Sequence, residues 1–371
     1  MNKKEMSVNI PPRRSIIMEN FSIVRIAIAL ALALSIVFII IYFVADDPWL
    51  AINRLVAGPF QSWRSFFSVI ERAMPIIFTG LAMNIVLQSG VFNIGQDGAF
   101  YMGAVLASVV ALKLPTIVGV TQFVAIFVSA MAGGIISMLP VLLYRYTKVN
   151  PIVSAIMFNS IFYYGGAYIV STFLLERSGT WGSHAFPKEA KLGLMIPKSK
   201  MHWGALILLI VYLGVVYLMR KTALGMKIRT VGLNPTFATN VGLNSGLIIL
   251  GAQFLGGSIA GMGGAIEMLG MYQRFLWQGP VNYVWDGLMV HMLANGNPAF
   301  IPVTAIFIAF LRIGSEIMSR STNIPPEVVA FLQGIVIVLV ASSKFLYGFK
   351  AKYDRKISLA QVRSDSEGEF A

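Results

Sequence analysis

Residues 220–242 read RKTALGMKIRTVGLNPTFATNVG, a basic island between two charge-free stretches, Gly204 to Met219 before it and Ser245 to Ile266 after it. Apolar runs of that kind suit hydrocarbon only as helices, which satisfy their own backbone, so the island joins two membrane-spanning segments. Within it, Asn234 is a good N-cap, Pro235 fits the first helical position and Gly242 suits a left-handed stop. The pattern predicts a helix of about two turns over 234–241, outside the bilayer. Such a helix is too small to be a domain. It either lies on the membrane surface or docks into a partner.

The rest of the chain follows the same pattern. Hydrophobic residues make up 57% of the 371 and charged residues 12%, against roughly a quarter charged in soluble domains. Ile26 to Val44 carries no charge and is long enough to cross a ~30 Å hydrocarbon core. The apolar runs are continuous rather than alternating, which excludes a transmembrane β-barrel. The expected fold is therefore all-α and polytopic, with about ten spans at 22–45, 67–88, 98–113, 117–143, 151–175, 204–220, 244–270, 283–296, 299–319 and 326–346. The polar segment before Ile26 and the length of the apolar run argue against a signal peptide. The chain has no cysteine, so disulfides and thiolate metal sites are excluded. Its net charge of +13 reports membrane orientation rather than nucleic-acid binding.

Placing the N-terminus inside puts Lys3, Lys4, Arg13, Arg14, Arg145, Lys148, Arg220, Lys221, Lys227 and Arg229 in the cytoplasm, with Lys344, Lys350, Lys352, Arg355 and Lys356 of the tail. Arg54, Arg64, Lys113, Arg177, Lys188, Lys191, Lys198 and Lys200 fall outside, and the bias favours this orientation. The expected organisation is a cytoplasmic segment 1–21, a transmembrane domain 22–346 with an external loop 176–203 and a cytoplasmic loop 220–243, and a solvated, disordered cytoplasmic tail 347–371.

Polar features inside the spans carry two readings each. Asn93-Ile94-Gly95-Gln96-Asp97-Gly98 interrupts two apolar stretches. Such a break survives at membrane depth only if it is buried in protein or lines a watery cavity; it is either a break beside a permeation path or a polar turn. Around it, Asn84, Phe92, Asn93 and Gln96 supply amides and an aromatic face beside glycines, and they are the candidate path residues. Gly256 to Ala265 spaces small residues for close helix packing. Glu267 is an ionisable group in a span and is expected to pair with Arg274. Asp286 reads as a cap at the start of a short helix or as a gate residue. His184, His202 and His291 are scattered and form no metal site. No Gly-Lys dipeptide occurs, so a Walker A loop is excluded. Trp49, Trp63, Trp181 and Trp203 read as interfacial belt residues.

These stretches together match a family pattern. FNIGQDGAFYMGA at 92–104 resembles the glycine-rich segment of bacterial ABC importer permeases for branched-chain amino acids and simple sugars. GMKIRTVGLNP at 225–235 is similar to that superfamily's cytoplasmic coupling segment. GAIEMLG at 264–270 with Arg274-Phe275, then Asp286-Gly287 and Asn297-Pro298, resemble the nucleoside branch, which works with a basic membrane lipoprotein. The resemblance spans about 20–346. It departs at HMLANGNP, 291–298, where relatives carry an Arg-containing stretch, which leaves the substrate open among nucleosides (first), flavins and sugars.

The resemblance implies a non-catalytic translocation subunit in the bacterial inner membrane with no cofactor of its own. Its implied partners are a second homologous permease, an ATPase with two nucleotide-binding halves that binds the ATP, and an extracytoplasmic lipoprotein. No nucleic acid is implied. Lys227, Arg229, Asn234, Pro235 and Ala238 are the implied ATPase-coupling residues. The alternative is an ion-coupled secondary transporter using the 93–98 break. A membrane-embedded enzyme lacks a polar catalytic constellation.

Overall fold

The structure, a computed structural model, describes residues 35–36, 38–43, 45–176, 181–196, 199, 201–324 and 334. The expected last span except residue 334, and the tail, lie outside the described residues, as do most of the first span and Arg177, Lys198 and Lys200. The chain divides into two units, Leu50–Thr322 and the terminal segments Met1–Trp49 with Asn323–Ala371. The helices below belong to the first unit.

In chain order these are α1 (Trp63–Gln88), α2 (Gln96–Lys113), α3 (Val120–Thr147), α4 (Pro151–Ile169), α5 (Gly204–Lys221), α6 (Ala223–Leu233), α7 (Pro235–Asn240), α8 (Ser245–Met271), α9 (Tyr283–Leu293) and α10 (Ile301–Ser321). A π-turn over Val170–Leu174 extends α4. Six helices among the described residues are long and apolar enough to cross a membrane: α1, α3, α4 with its extension, α5, α8, and α10 with the turn before it. The protein is all-α and multi-pass. Two expected spans change character. α2 has 18 residues and is largely buried. α9 has 11 residues, about 16 Å of helix, too short to cross. Left-handed Asn282 bounds α9 on one side, and Asn295 and Gly296 bound it on the other. Thr79, well inside α1, donates to the Tyr283 carbonyl at 2.8 Å, so α9 begins at the depth of the middle of α1.

α1 lies at the centre. Every residue from Ala73 to Val86 is buried, as a helix apolar on all faces requires. α4 and α5 are the opposite case, with only 22% of their most apolar windows buried; residues such as Ile156, Met157, Leu209 and Ile210 are exposed and suit hydrocarbon. α8 packs on α1, α2 and α3 through the small-residue seam anticipated from sequence. A Cβ on Gly264 would stand 1.9 Å from the Phe100 carbonyl oxygen, and one on Gly261 2.2 Å from that of Ser129. Backbones meet directly there, and only glycine permits it. We call the end bearing α6 and α7 the basic end, and the end bearing 176–203 the loop end.

Candidate functional site

The break between α1 and α2 is held by amides. Asn93 Nδ2 donates to the Ser137 carbonyl at 2.8 Å and to Gln253 Oε1 at 2.9 Å, while its Oδ1 accepts from the Gly95 amide. Gln96 Nε2 donates to Ser137 Oγ at 2.9 Å. Asn159 of α4 closes the knot, donating to the Ile94 carbonyl and accepting from the Gly98 amide. Backbone freed by the break thus finds side-chain partners in Asn93 of the break itself and Asn159 of α4, while the Asn93 and Gln96 amides tie the break to α3 and α8, as apolar surroundings demand. Asn84 donates to the Gly296 carbonyl at 2.8 Å and contacts His291 Nδ1 at 3.1 Å, tying α1 to the α9–α10 loop.

Towards the loop end, α1, α8, α9 and α10 bring charges together. Arg72 Nη2 pairs with Glu316 Oε1 at 2.9 Å. Tyr283 OH accepts from Arg72 at 3.5 Å and donates to Glu267 Oε1 at 3.3 Å. Arg312 Nη2 pairs with Asp286 Oδ1 at 2.5 Å. Asp286 is buried, but the Arg72, Glu316 and Arg312 side chains remain 36%, 41% and 30% exposed. Arg312 lies at the midpoint of α10. Charges there cost roughly 2.5–3.5 kcal/mol each against lipid, so this face of α1 and α10 meets water or protein rather than hydrocarbon.

At the basic end, α6 and α7 fold as two short capped helices. Thr222 accepts from the Gly225 amide. Asn234 Oδ1 accepts from the Phe237 amide at 2.9 Å, Pro235 takes the first helical position, and Gly242 is left-handed at φ 84°. The end of α6 rests on the end of α1. A Cβ on Gly232 would lie 2.0 Å from the Gln88 carbonyl oxygen, and one on Gly90, itself at φ 82°, would lie 2.9 Å from Gly232. Beside this contact is a cleft of about 540 Å³ lined by Gln88, Arg220, Arg229, Leu233, His291 and Asn297, among others.

The structure sorts the residues expected from sequence. Asn84, Asn93 and Gln96 are fully buried with amide donors engaged, and Phe92 beside them is half-buried. Lys227, Arg229, Asn234 and Pro235 are exposed on one segment. Ala238 is fully buried, which corrects its expected place on the docking face; Leu233, Phe237 and Val241 are the exposed apolar residues there. The expected Glu267–Arg274 pair is also corrected. Arg274 bonds Glu176, because the loop-end strap folds back over the end of α8: the Ser183 amide donates to the Phe275 carbonyl and that of Phe186 to Gln273. Glu267 accepts from Tyr283 instead. Arg72, Arg312 and Glu316 escaped the sequence reading, although a charge in a span was the signal that singled out Glu267.

In the loop-end strap, His202 is fully buried. Its Nδ1 accepts from the Gly204 amide at 3.1 Å. Burial, with the neighbouring Lys191 ammonium, pushes its pKa down to about 4, and burial also lowers that of Lys191.

Residues 65–341 match the family described as branched-chain amino acid transport system / permease component. A glucose ABC transporter permease of Haloferax volcanii is 25% identical over 84% of this chain and 85% of its own length. A guanosine ABC transporter permease of Bacillus subtilis is 26% identical over 77% and 84%, and a nucleoside ABC transporter permease of Lactococcus lactis 22% over 80% and 84%. With the family match covering most of the helical bundle, the chain belongs to the permease-component family of branched-chain amino acid transport systems and is a multi-pass membrane permease of the ABC type.

Proposed function

We propose that this chain is the transmembrane subunit of an ABC importer for a nucleoside-like solute in a bacterial inner membrane, with the basic end and both termini cytoplasmic. A partner ATPase with two nucleotide-binding halves, which supplies the only nucleotide cofactor, docks on the outward face of α6 and α7. A second homologous permease completes the pathway, and an extracytoplasmic lipoprotein delivers the solute at the loop end. The chain itself does no covalent chemistry. The guanosine and nucleoside relatives support a nucleoside, and the glucose relative makes a sugar the competing solute.

The observation that carries this reading is the seating of Gly232 on the Gln88 carbonyl. A push on α6 and α7 passes directly to the end of α1, where the amide-held break begins. The break then serves as the joint between two rigid packings, with Asn84, Asn93 and Gln96 forming the joint beside the path and Phe92 as the member that reaches the surface. The charged face of α1 and α10 supplies a wetted wall towards the second permease.

Phe237→Glu tests the docking face, because Phe237 is 54% exposed on α7. The variant should insert normally, lose co-purification of the ATPase, and abolish uptake of labelled guanosine in proteoliposomes. A retained complex with normal uptake overturns the assignment, and uptake of glucose but not guanosine overturns the substrate.

A further inference from the structure

The cleft beneath α6 combines two chemistries. Arg220 donates to Asn297 Oδ1 at 2.6 Å and keeps further donors free. Among the described residues, neither Arg220 nor Arg229 pairs with a carboxylate. Leu87, Met219 and Pro298 add apolar surface. Two guanidinium forks without a carboxylate partner among the described residues match a phosphate, and the apolar wall matches a ring. The cleft volume of about 540 Å³ lies within the roughly 300–1,000 Å³ of small-molecule sites.

We propose that this cleft binds a soluble phosphomonoester of a ring-and-hydroxyl solute, that is, the phosphorylated form of the class the importer carries. Such a ligand bridges Arg229 of α6 to Arg220 of α5 and holds α6 in place, so accumulated product slows further import. The binding site stands on this geometry alone, whereas the feedback role rests on the importer reading.

The absence of native cysteine makes Leu233→Cys a clean reporter, since Leu233 is 88% exposed at the rim of the cleft. The full chain carrying it is placed in nanodiscs of neutral lipid and labelled with a maleimide. Guanosine monophosphate at about ten times its Kd should slow labelling about tenfold, and guanosine should not. Arg220→Gln with Arg229→Gln should abolish the protection. Arg229→Lys, which keeps the charge but loses the fork, should weaken it and controls for folding. In proteoliposomes, internal guanosine monophosphate should lower uptake in the same order of variants.

Several results overturn the site: no protection by guanosine monophosphate or glucose 6-phosphate at millimolar concentration, equal protection by inorganic phosphate, or protection by phosphatidylglycerol in the disc, which assigns the cleft to a lipid headgroup. Loss of ATPase binding in the arginine variants, with labelling blocked by the ATPase but not by the phosphomonoester, assigns it to a protein contact. Protection without any effect on uptake overturns the feedback role. Absence of uptake in every preparation, with protection intact, counts instead against the importer reading.

Discussion

Single side chains in this fold are governed by whether an ion or amide at membrane depth finds a partner. Asp286 is buried and takes Arg312, whereas Arg72 and Glu316 pair on a half-exposed face. His202 shows the same economy at the loop end, where it stays neutral. Its folded pKa of about 4 lies below the ordinary 6.5, so the unfolded chain binds more protons between those values. Stability is therefore full above about pH 6.5, falls as pH drops through that window, and stays lost below about pH 4. The displacement is worth about 3 kcal/mol. Thermal unfolding in detergent at about pH 7 and about pH 5 should show the drop in the wild type, and His202→Gln should flatten it. Parallel losses in both chains would remove His202 from this role.

Helices in this bundle are chosen by what their neighbours allow. Gly264 and Gly261 admit the backbones of α2 and α3, whereas Gly251 of the same helix α8 has nothing within 4 Å of an added Cβ. Gly264→Ala should cost at least about 3 kcal/mol, the upper range for overpacking, because a carbonyl oxygen cannot move as a side chain would. Gly251→Ala should stay within about 1 kcal/mol of wild type or gain slightly. Yield of folded protein and melting temperature read both, and equal behaviour of the two variants contradicts the seam. The spacing of small residues made this seam legible in the sequence, as did the caps of α7, because both depend on local residue type. α9 was only partly legible, because the sequence offered a short helix begun by a cap at Asp286 as well as a span over 283–296. Its apolar composition matches that of a span, and only the left-handed Asn282 and the contact with Thr79 reveal where it begins. Arg274 was likewise assigned to the nearest acidic residue in sequence, while the loop-end strap brought Glu176 from 98 positions away.

For the whole molecule, the question is how a force at the basic end reaches the helices that hold the path. α6 and α7 pack lightly on the bundle, and Gly232 brings the α6 backbone directly against the end of α1. Gly232→Val places a branched side chain where a single Cβ already meets the Gln88 carbonyl oxygen at 2.0 Å, so α6 must lift away. The outward face with Phe237 is untouched, which separates assembly from transmission. The expected phenotype is an assembled complex that still hydrolyses ATP but imports at least about tenfold less solute per ATP, a loss of about 1.4 kcal/mol in effective coupling. Gly90→Ala should behave similarly, since it combines a backbone at φ 82° with a 2.9 Å approach to Gly232. Phe237→Glu should differ from both, losing assembly and hydrolysis together. Solute moved per ATP, measured in proteoliposomes, distinguishes these outcomes. An unchanged ratio in both glycine variants, with α6 displaced as shown by thiol accessibility at Leu233→Cys, would mean that force reaches the path by another contact, the nearest alternative being α5 against α1.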